Sequence, residues 1–211
     1  MSDMQSLMNA ILEGDENKTK LLVLEAINKG EKAGEIMNKG MIAAMDIVGE
    51  KMESEEMFIP EVLMSASAMS SGVEILRPLL KDDDAVNRGV AVIGSVHGDL
   101  HDIGKNLVKM LLEGAGFKVI DLGTNVESKK FLSAVQDHNA NIVGMSALLT
   151  TTMSVMKEVI DLLSENNLRE NVKVLVGGAP VTEEYSQKIG ADGYGADAGS
   201  AVRIAKSMMQ Q

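Results

Sequence analysis

The sequence predicts an all-α helical bundle followed by an α/β domain with a five-stranded parallel sheet. Apolar residues recur at three- and four-residue spacing through roughly the first eighty residues, which indicates amphipathic helices. After the polar and charged stretch KDDDAVNRG, residues 81–89, short β-branched runs alternate with helical stretches, as in doubly wound sheets covered on both faces. We therefore predict two domains, a helical one of residues 1–84 and an α/β one of residues 85–211.

Four helices account for the first domain. Gly14, Gly30 and Pro60 separate or begin them, and Pro60 suits the first turn of the last helix. Short connections between neighbouring helices favour a four-helix bundle. The four segments read SLMNAIL, KTKLLVLEAINKG, AGEIMNKGMIAAMDIVGEKM and PEVLMSASAMSSGVEILRPLL.

Five strands and the helices between them form the second domain. The predicted strands are GVAVIGSV, FKVIDLG, NIVGMSAL, VKVLVGGA and ADGYGAD. The predicted helices lie near 103–115, 127–138, 152–167, 181–189 and 197–208. This order indicates a Rossmann-like or flavodoxin-like sheet, in which ligands bind outside the carboxyl ends of the strands.

Composition excludes several classes of partner. The net charge of −11 argues against nucleic acid and against an anionic membrane surface, because both attract lysine and arginine. The sequence has neither a long apolar run nor a signal-peptide pattern, so we expect a cytoplasmic protein. Cysteine is absent, so any metal must be held by His, Asp or Glu or arrive within a cofactor.

One loop carries two of the three histidines, in the stretch GSVHGDLHDIGKN, residues 94–106. Its glycine spacing matches neither the dinucleotide nor the phosphate-loop motif. Asp99 precedes His101 by two residues, so its carboxylate can accept one imidazole N–H while the other nitrogen binds a metal. Gly104 would let the following helix pack closely. A histidine that merely lines a loop explains the residues equally well.

Small and hydroxyl-bearing residues follow the other strands. Ser146, Thr150 and Thr152 end the third strand, and Gly177 and Gly178 end the fourth. Each is compatible with ordinary turn chemistry. Together they predict a slot along one sheet edge, in which a bulky ligand approaches the backbone.

GDLHDIGKN, followed by SAL and GG at the later strand ends, resembles the cobalamin-binding module of methionine synthase and of small corrinoid proteins that act in methylamine, methanol and betaine methyl transfer. The helical segment GEKMESEEMFIPEVLMSASAM resembles the cap of the same family. The resemblance covers nearly the whole chain. It implies cobalamin as cofactor.

The resemblance also implies a role for each matching residue. In this family a protein histidine replaces the cofactor's dimethylbenzimidazole as the axial ligand of cobalt, and the match is His101. Asp99 would accept its second N–H, Ser146 would continue this relay, and Met52 and Ile59 would cover the methyl face of the corrin. The corrin edge and the displaced nucleotide tail would be bound by Gly98, Leu100, Asp102, Ile103, Gly104, Leu148, Thr150, Thr152, Gly177, Gly178 and Ala198.

By this resemblance the chain is expected to carry a methyl group between a substrate-specific methyltransferase and an acceptor methyltransferase, as methylcobalamin and cob(I)alamin. It would be a corrinoid subunit of methylated-amine, betaine or methanol metabolism, in methanogenesis or acetogenesis, rather than an enzyme by itself. A reductive activase would be a third partner. The sequence does not name the methyl donor.

Other functions remain open from the sequence. A metal-dependent hydrolase would use His97, Asp99 and His101 directly, but it needs a further strong ligand and an open water position. A cobalamin-dependent mutase subunit would not need the helical domain. A cobalamin-dependent transcription sensor would need a basic DNA-binding segment.

Overall fold

The computed structural model of the protein describes residues 3–79 and 88–209, apart from the side chains of residues 3 and 53. The described residues fall into two compact units, one within residues 1–87 together with 113–116, the other within 88–112 and 117–211. The predicted boundary between residues 84 and 85, like most of the charged stretch, lies outside the described residues. In the described part of the chain, no helix is both long and apolar enough to cross a membrane.

The first unit is helical, as predicted. Its third helix differs from an ordinary α-helix, because α3 (Ala33–Glu35) passes through a π-helical segment (Ile36–Ile42) into α4 (Ala43–Glu53). A Cβ at Gly40 in this segment would lie 2.7 Å from Leu7 Cδ2, so the glycine gives the Leu7 side chain of the first helix room to pack. The other helices are α1 (Asp3–Leu12), α2 (Glu16–Asn28) and α5 (Ile59–Leu76), and α5 ends in a 3₁₀ turn (Arg77–Leu79).

Local capping explains where two of these helices begin. The side chain of Asp15 accepts a hydrogen bond from the Lys18 amide at 2.9 Å, which satisfies a donor in the first turn of α2. The amide of Phe58 donates to Glu61 Oε2 at 2.9 Å, and Pro60 lies in the first turn of α5.

The second unit is the predicted doubly wound domain. All its strand pairs are parallel, and the strand order is β2-β1-β3-β4-β5. The strands are β1 (Val90–Ser95), β2 (Lys118–Asp121), β3 (Ile142–Ser146), β4 (Lys173–Gly177) and β5 (Gly193–Gly195). The helices are α6 (Ile103–Gly114), α7 (Ser128–His138), α8 (Ser154–Glu165), α9 (Glu183–Ile189) and α10 (Ala198–Met208).

The core of this unit lies between the central strands and the flanking helices. Phe131 of α7 and Met156 and Leu163 of α8 are completely buried against the sheet. A Cβ at Gly94 of β1 would lie 2.9 Å from the ring of Phe131, so this glycine permits the close packing of α7.

The strand order places the loops after β1 and β3 side by side. β1 and β3 are neighbours, with Ser95 paired to Ser146, although β2 lies between them in sequence. The chain reverses its winding direction at this point, and ligands of open α/β sheets bind at such a switch point. The loop that contains Asp99 and His101 begins here.

Candidate functional site

Asp99 and His101 form a hydrogen-bonded pair in the loop after β1. His101 Nδ1 lies 2.7 Å from Asp99 Oδ1, and the His101 amide donates to the same oxygen at 3.0 Å. The Asp99 side chain is fully buried, whereas the imidazole is 52% exposed. With Nδ1 bound to a carboxylate, a neutral imidazole keeps the lone pair of Nε2 for another partner.

The second oxygen of Asp99 is held by the segment after β3. The Leu148 amide donates to Asp99 Oδ2 at 2.6 Å, and Thr152 Oγ1 lies 3.4 Å from the same atom. Burial raises the pKa of the Asp99 carboxyl, but hydrogen bonds from the Leu148 amide and from the amide and imidazole of His101 outweigh it, so the pKa lies below its ordinary value. Asp99 is therefore an ionised, buried acceptor that fixes the imidazole.

The hydroxyl nearest to Asp99 is not that of Ser146, whose role in the relay stays a prediction. Among the described residues, the hydroxyl that approaches Asp99 belongs to Thr152, which the sequence assigned only to the slot. Ser146 is still part of the sheet, where its carbonyl accepts the Val96 amide. Asp99 lies beyond the end of β1, so a residue from the turn after β3 reaches it instead.

Exposed apolar side chains lie close to His101 in the loop and in the segment after β3. Leu100 is 74% exposed and Ile103 is 86% exposed, although both are large and apolar, and Leu148 is also exposed. A Cβ at Gly104 would meet no described atom of the chain within 4 Å, so the close packing predicted there is not with the protein itself. Asp102 is exposed beside them and accepts from Asn106 Nδ2 at 3.1 Å. This open apolar surface beside one histidine can accept a flat apolar ligand.

The glycines after β4 are required by the packing of the backbone, whether or not they also make room for a ligand. A Cβ at Gly178 would lie 2.0 Å from the Ala147 carbonyl oxygen, and Gly178 has a φ of +121°. A Cβ at Gly177 would lie 2.8 Å from the Gly195 carbonyl oxygen. Neighbouring backbone fills the space next to both residues, so close approach within the sheet accounts for them.

The remaining predicted site residues lie in several places. Thr150 is exposed in the same turn as Leu148, and Ala198 is buried as the first residue of α10. Met52 is half-buried and Ile59 is 52% exposed in the helical unit. Their roles in binding stay predictions.

Two residues that the sequence reasoning did not select also contact the loop. The Ser95 hydroxyl donates to the His101 carbonyl oxygen, and Asn125 Oδ1 accepts from the Gly98 amide at 2.8 Å. Asn125 follows the GT of DLGTN after β2 and has a φ of +52°, which asparagine tolerates better than most residues. The turn composition could have indicated Asn125 as a contact residue from the sequence. No sequence feature indicated Ser95, because it resembles an ordinary strand residue.

The residues of the site suit a metal that is already coordinated within a macrocycle. Among the described residues, no group of three or more His, Asp or Glu side chains could hold a metal ion, which removes the basis for a hydrolase with His97, Asp99 and His101 as ligands. His97 is exposed in the loop. A metal inside a macrocycle needs one axial ligand from the protein, and the oriented, exposed imidazole of His101 can supply it.

Comparison with known proteins agrees with this arrangement. Residues 89–203 match a family described as "B12 binding domain", and residues 4–77 match a second family of the same description. The chain belongs to the B12-binding family. Membership confirms cobalamin as the cofactor that the sequence predicted.

Relatives of this B12-binding protein cover both of its units. Dimethylamine corrinoid protein 1 of Methanosarcina acetivorans is 43% identical over 208 residues, 98% of this chain and 97% of the relative. A solved cobalamin-binding protein of Desulfitobacterium hafniense is 32% identical with a TM-score of 0.82, covering 99% of both chains. The methanol:cobalamin methyltransferase complex of Methanosarcina barkeri includes a chain that is 32% identical, with a TM-score of 0.89, covering 99% of this chain and 80% of that chain.

These similarities confirm the predicted fold and the prediction of a corrinoid protein. They do not support the hydrolase, the mutase subunit or the transcription sensor. The relatives' names differ in the methyl compound, dimethylamine in one and methanol in another.

Proposed function

We propose that this B12-binding protein carries a methyl group on the cobalt of cobalamin, between a substrate-specific methyltransferase and an acceptor methyltransferase. The observation that carries the proposal is the exposed imidazole of His101, held at 2.7 Å by the buried carboxylate of Asp99. When bound, cobalamin supplies the cobalt that accepts and releases the methyl group.

The side chains of the loop would have different roles in binding the cofactor. His101 would hold the cobalt through Nε2, and Asp99 keeps the ring in the orientation and tautomer that leave Nε2 free. The Leu148 amide holds Asp99 in turn, and Thr152 Oγ1, which donates to the Leu149 carbonyl oxygen at 2.9 Å, lies 3.4 Å from the same carboxylate. Leu100 and Ile103 would contact the apolar parts of the macrocycle, and burial of their exposed surface would stabilise the complex.

The other predicted contacts belong to the same proposal. Thr150, Gly177, Gly178 and Ala198 would hold the cofactor's nucleotide tail, the two glycines through their backbone, because neighbouring backbone occupies the space where their Cβ atoms would lie. Met52 and Ile59 of the helical unit would shield the methyl face, as the sequence resemblance implies. We keep the boundary between these two functional domains at residues 84 and 85.

The proposed partners follow from a relative: the methanol:cobalamin methyltransferase complex of Methanosarcina barkeri includes a chain similar to this one. We propose that a substrate-specific methyltransferase supplies the methyl group and that an acceptor methyltransferase removes it. A reductive activase must restore cofactor that has been oxidised. We propose the cytoplasm as the location, because the cofactor must be kept reduced and the cytoplasm is a reducing compartment.

Methyl transfer with labelled substrates tests the proposal. The protein is loaded with hydroxocobalamin, desalted, reduced and mixed with a candidate methyltransferase and its radiolabelled substrate, dimethylamine or methanol. We expect label on the loaded protein and then on a thiol acceptor when an acceptor methyltransferase is added. The His101→Ala variant should transfer little label. A wild-type protein that binds cobalamin but takes no label with any methylamine or methanol system would contradict the proposal.

A further inference from the structure

The His101 loop is fixed by the chain on both sides of the Asp99–His101 pair. One contact comes from Ser95 at the end of β1, and the other from Asn125 after β2. Neither residue touches the imidazole. Both bind the backbone that carries it.

Ser95 binds the backbone of His101 itself. Its side chain is buried, and its hydroxyl donates to the His101 carbonyl oxygen at 2.5 Å. A buried hydroxyl without a partner is costly, so the loop is favoured in the conformation that brings this carbonyl to Ser95. That conformation fixes the C-terminal side of the pair.

Asn125 binds both ends of the Gly98–Asp99 segment. Its Oδ1 accepts from the Gly98 amide at 2.8 Å, and its own amide donates to the Asp99 carbonyl oxygen at 2.8 Å. Gly98 has a φ of +82°, and a Cβ there would lie 3.2 Å from Thr152 Cγ2, so the segment is held close to the turn after β3. This fixes the N-terminal side of the pair.

We propose that Ser95 and Asn125 are positioning residues that orient His101 as the axial ligand before cobalamin binds. The inference rests on the proposed function of His101. With the backbone held on both sides, the Asp99 carboxylate faces the Leu148 amide and the imidazole faces outward. A ligand held in its binding orientation loses less conformational freedom when the cofactor binds, which raises affinity.

Two variants remove one contact each. Ser95→Ala deletes the hydroxyl, and Asn125→Gly deletes Oδ1 but keeps the backbone amide and the left-handed conformation. Asn125→Asp retains an acceptor at the same position and serves as the conservative variant. Matched controls are Ser164→Ala, whose hydroxyl binds Ile160 within α8, and Asn139→Gly, which has a φ of +48° at the end of α7.

The readouts are the Kd for hydroxocobalamin and, in the cofactor-free protein, hydrogen exchange of the Leu148 and His101 amides. Both amides donate to Asp99, and no variant removes either donor. We expect Ser95→Ala and Asn125→Gly each to raise the Kd and speed exchange of these amides about three- to tenfold, the effect of one hydrogen bond. Asn125→Asp and both controls should stay within about twofold of the wild type.

Unchanged Kd and unchanged exchange in the two variants would overturn the inference. So would a raised Kd with wild-type exchange, because the residues would then act on the cofactor directly. If the wild-type protein failed to bind hydroxocobalamin, the proposed function would be contradicted instead. The amide exchange rates would still show whether Ser95 and Asn125 position the loop.

Discussion

The Nδ1 atom of His101 lies 2.7 Å from Oδ1 of Asp99, while the other oxygen of this buried carboxylate accepts the Leu148 amide. One carboxylate thus joins the loop after β1 to the turn after β3. The two segments are far apart in sequence and meet because β1 and β3 are adjacent in the sheet. The sheet topology therefore produces the orientation of the candidate cobalt ligand.

Replacing Asp99 with asparagine should weaken cobalamin binding. Each oxygen of Asp99 accepts a backbone N–H, so the amide NH₂ of asparagine would face a donor in either orientation. Loss of an orienting carboxylate typically costs about ten- to a hundredfold in metal affinity, and we expect a loss of that order. Absorbance titration with hydroxocobalamin measures it. The control Asp137→Asn, on the exposed surface of α7, should bind cobalamin like the wild type. Equal affinities of the wild type, Asp99→Asn and Asp137→Asn would refute the orienting role of Asp99.

Paired substitutions distinguish the contributions of the Thr152 and Ser146 hydroxyls to cobalamin binding. Thr152→Val removes, with little change of shape, the hydroxyl that donates to the Leu149 carbonyl oxygen at 2.9 Å and lies 3.4 Å from Asp99. Ser146→Ala removes the hydroxyl that the sequence suggested. We expect Thr152→Val to raise the Kd for hydroxocobalamin about three- to tenfold, and Ser146→Ala to leave it within about twofold. A larger rise in Kd for Ser146→Ala than for Thr152→Val would instead support the predicted role of Ser146.

Gly178 supports the site through the backbone of its neighbour. In Gly178→Ala the new Cβ would overlap the Ala147 carbonyl, next to the Leu148 amide that binds Asp99, so both stability and cobalamin affinity should fall. We expect a loss of about 2–4 kcal/mol from steric overlap and left-handed strain together.

Urea unfolding measures this loss. Tyrosine fluorescence reports on the second unit, since both tyrosines of the sequence, Tyr185 and Tyr194, lie in it. The control Gly190→Ala has a φ of +82° and no described atom within 4 Å of its Cβ, so it should lose only about 1–2 kcal/mol and keep wild-type affinity. Equal losses in the two variants would show that strain alone matters at Gly178.

An ion pair beside the site should make stability depend on pH. Lys105 is 4% exposed, and its Nζ lies 2.8 Å from Asp121 Oδ1. Burial raises the pKa of Asp121, but hydrogen bonds from Lys105 and the Gly123 amide outweigh it and hold the pKa below its ordinary value. The stabilisation is therefore fully present above the ordinary carboxyl pKa near about 4 and is lost as the pH falls through the lower folded-state pKa.

Asp121→Asn should accordingly cost about 2–3 kcal/mol at pH 7, since it leaves the Lys105 charge buried without a counter-ion. At about pH 3 the difference from the wild type should shrink. Urea unfolding at both pH values measures this difference. The exposed pair of Lys157 and Asp161 provides the control, because Asp161→Asn should cost under about 1 kcal/mol at either pH. A difference for Asp121→Asn that grows in acid would contradict the assigned sign.

The sequence predicted the two-unit fold because helix and strand periods differ along the chain. The π-helical segment Ile36–Ile42 was not predictable, since its apolar residues keep a spacing that also suits an α-helix. The Asp99–His101 pair was predictable because both residues lie in one short loop. Thr152 was not singled out, because the path of the turn after β3 decides which hydroxyl reaches Asp99.

The surroundings of the glycines were the least predictable feature of the site from the sequence. Gly177 and Gly178 suggested room for a ligand, and this stays a prediction, but neighbouring backbone by itself already requires the absence of their side chains. Gly104 suggested tight packing, yet its surroundings within the described chain are open. A missing side chain shows that space is needed, but only the structure shows what uses the space.

Electron paramagnetic resonance of the loaded protein in the cob(II)alamin state tests the central claim most directly. The protein is prepared with ¹⁵N-labelled histidine and with unlabelled cofactor. If His101 is the axial ligand, each cobalt line should split into a doublet, where the unlabelled protein gives a triplet, and His101→Ala should lose this response. A triplet that persists in the labelled protein would show that the cofactor's own base remains on cobalt, and it would contradict the account.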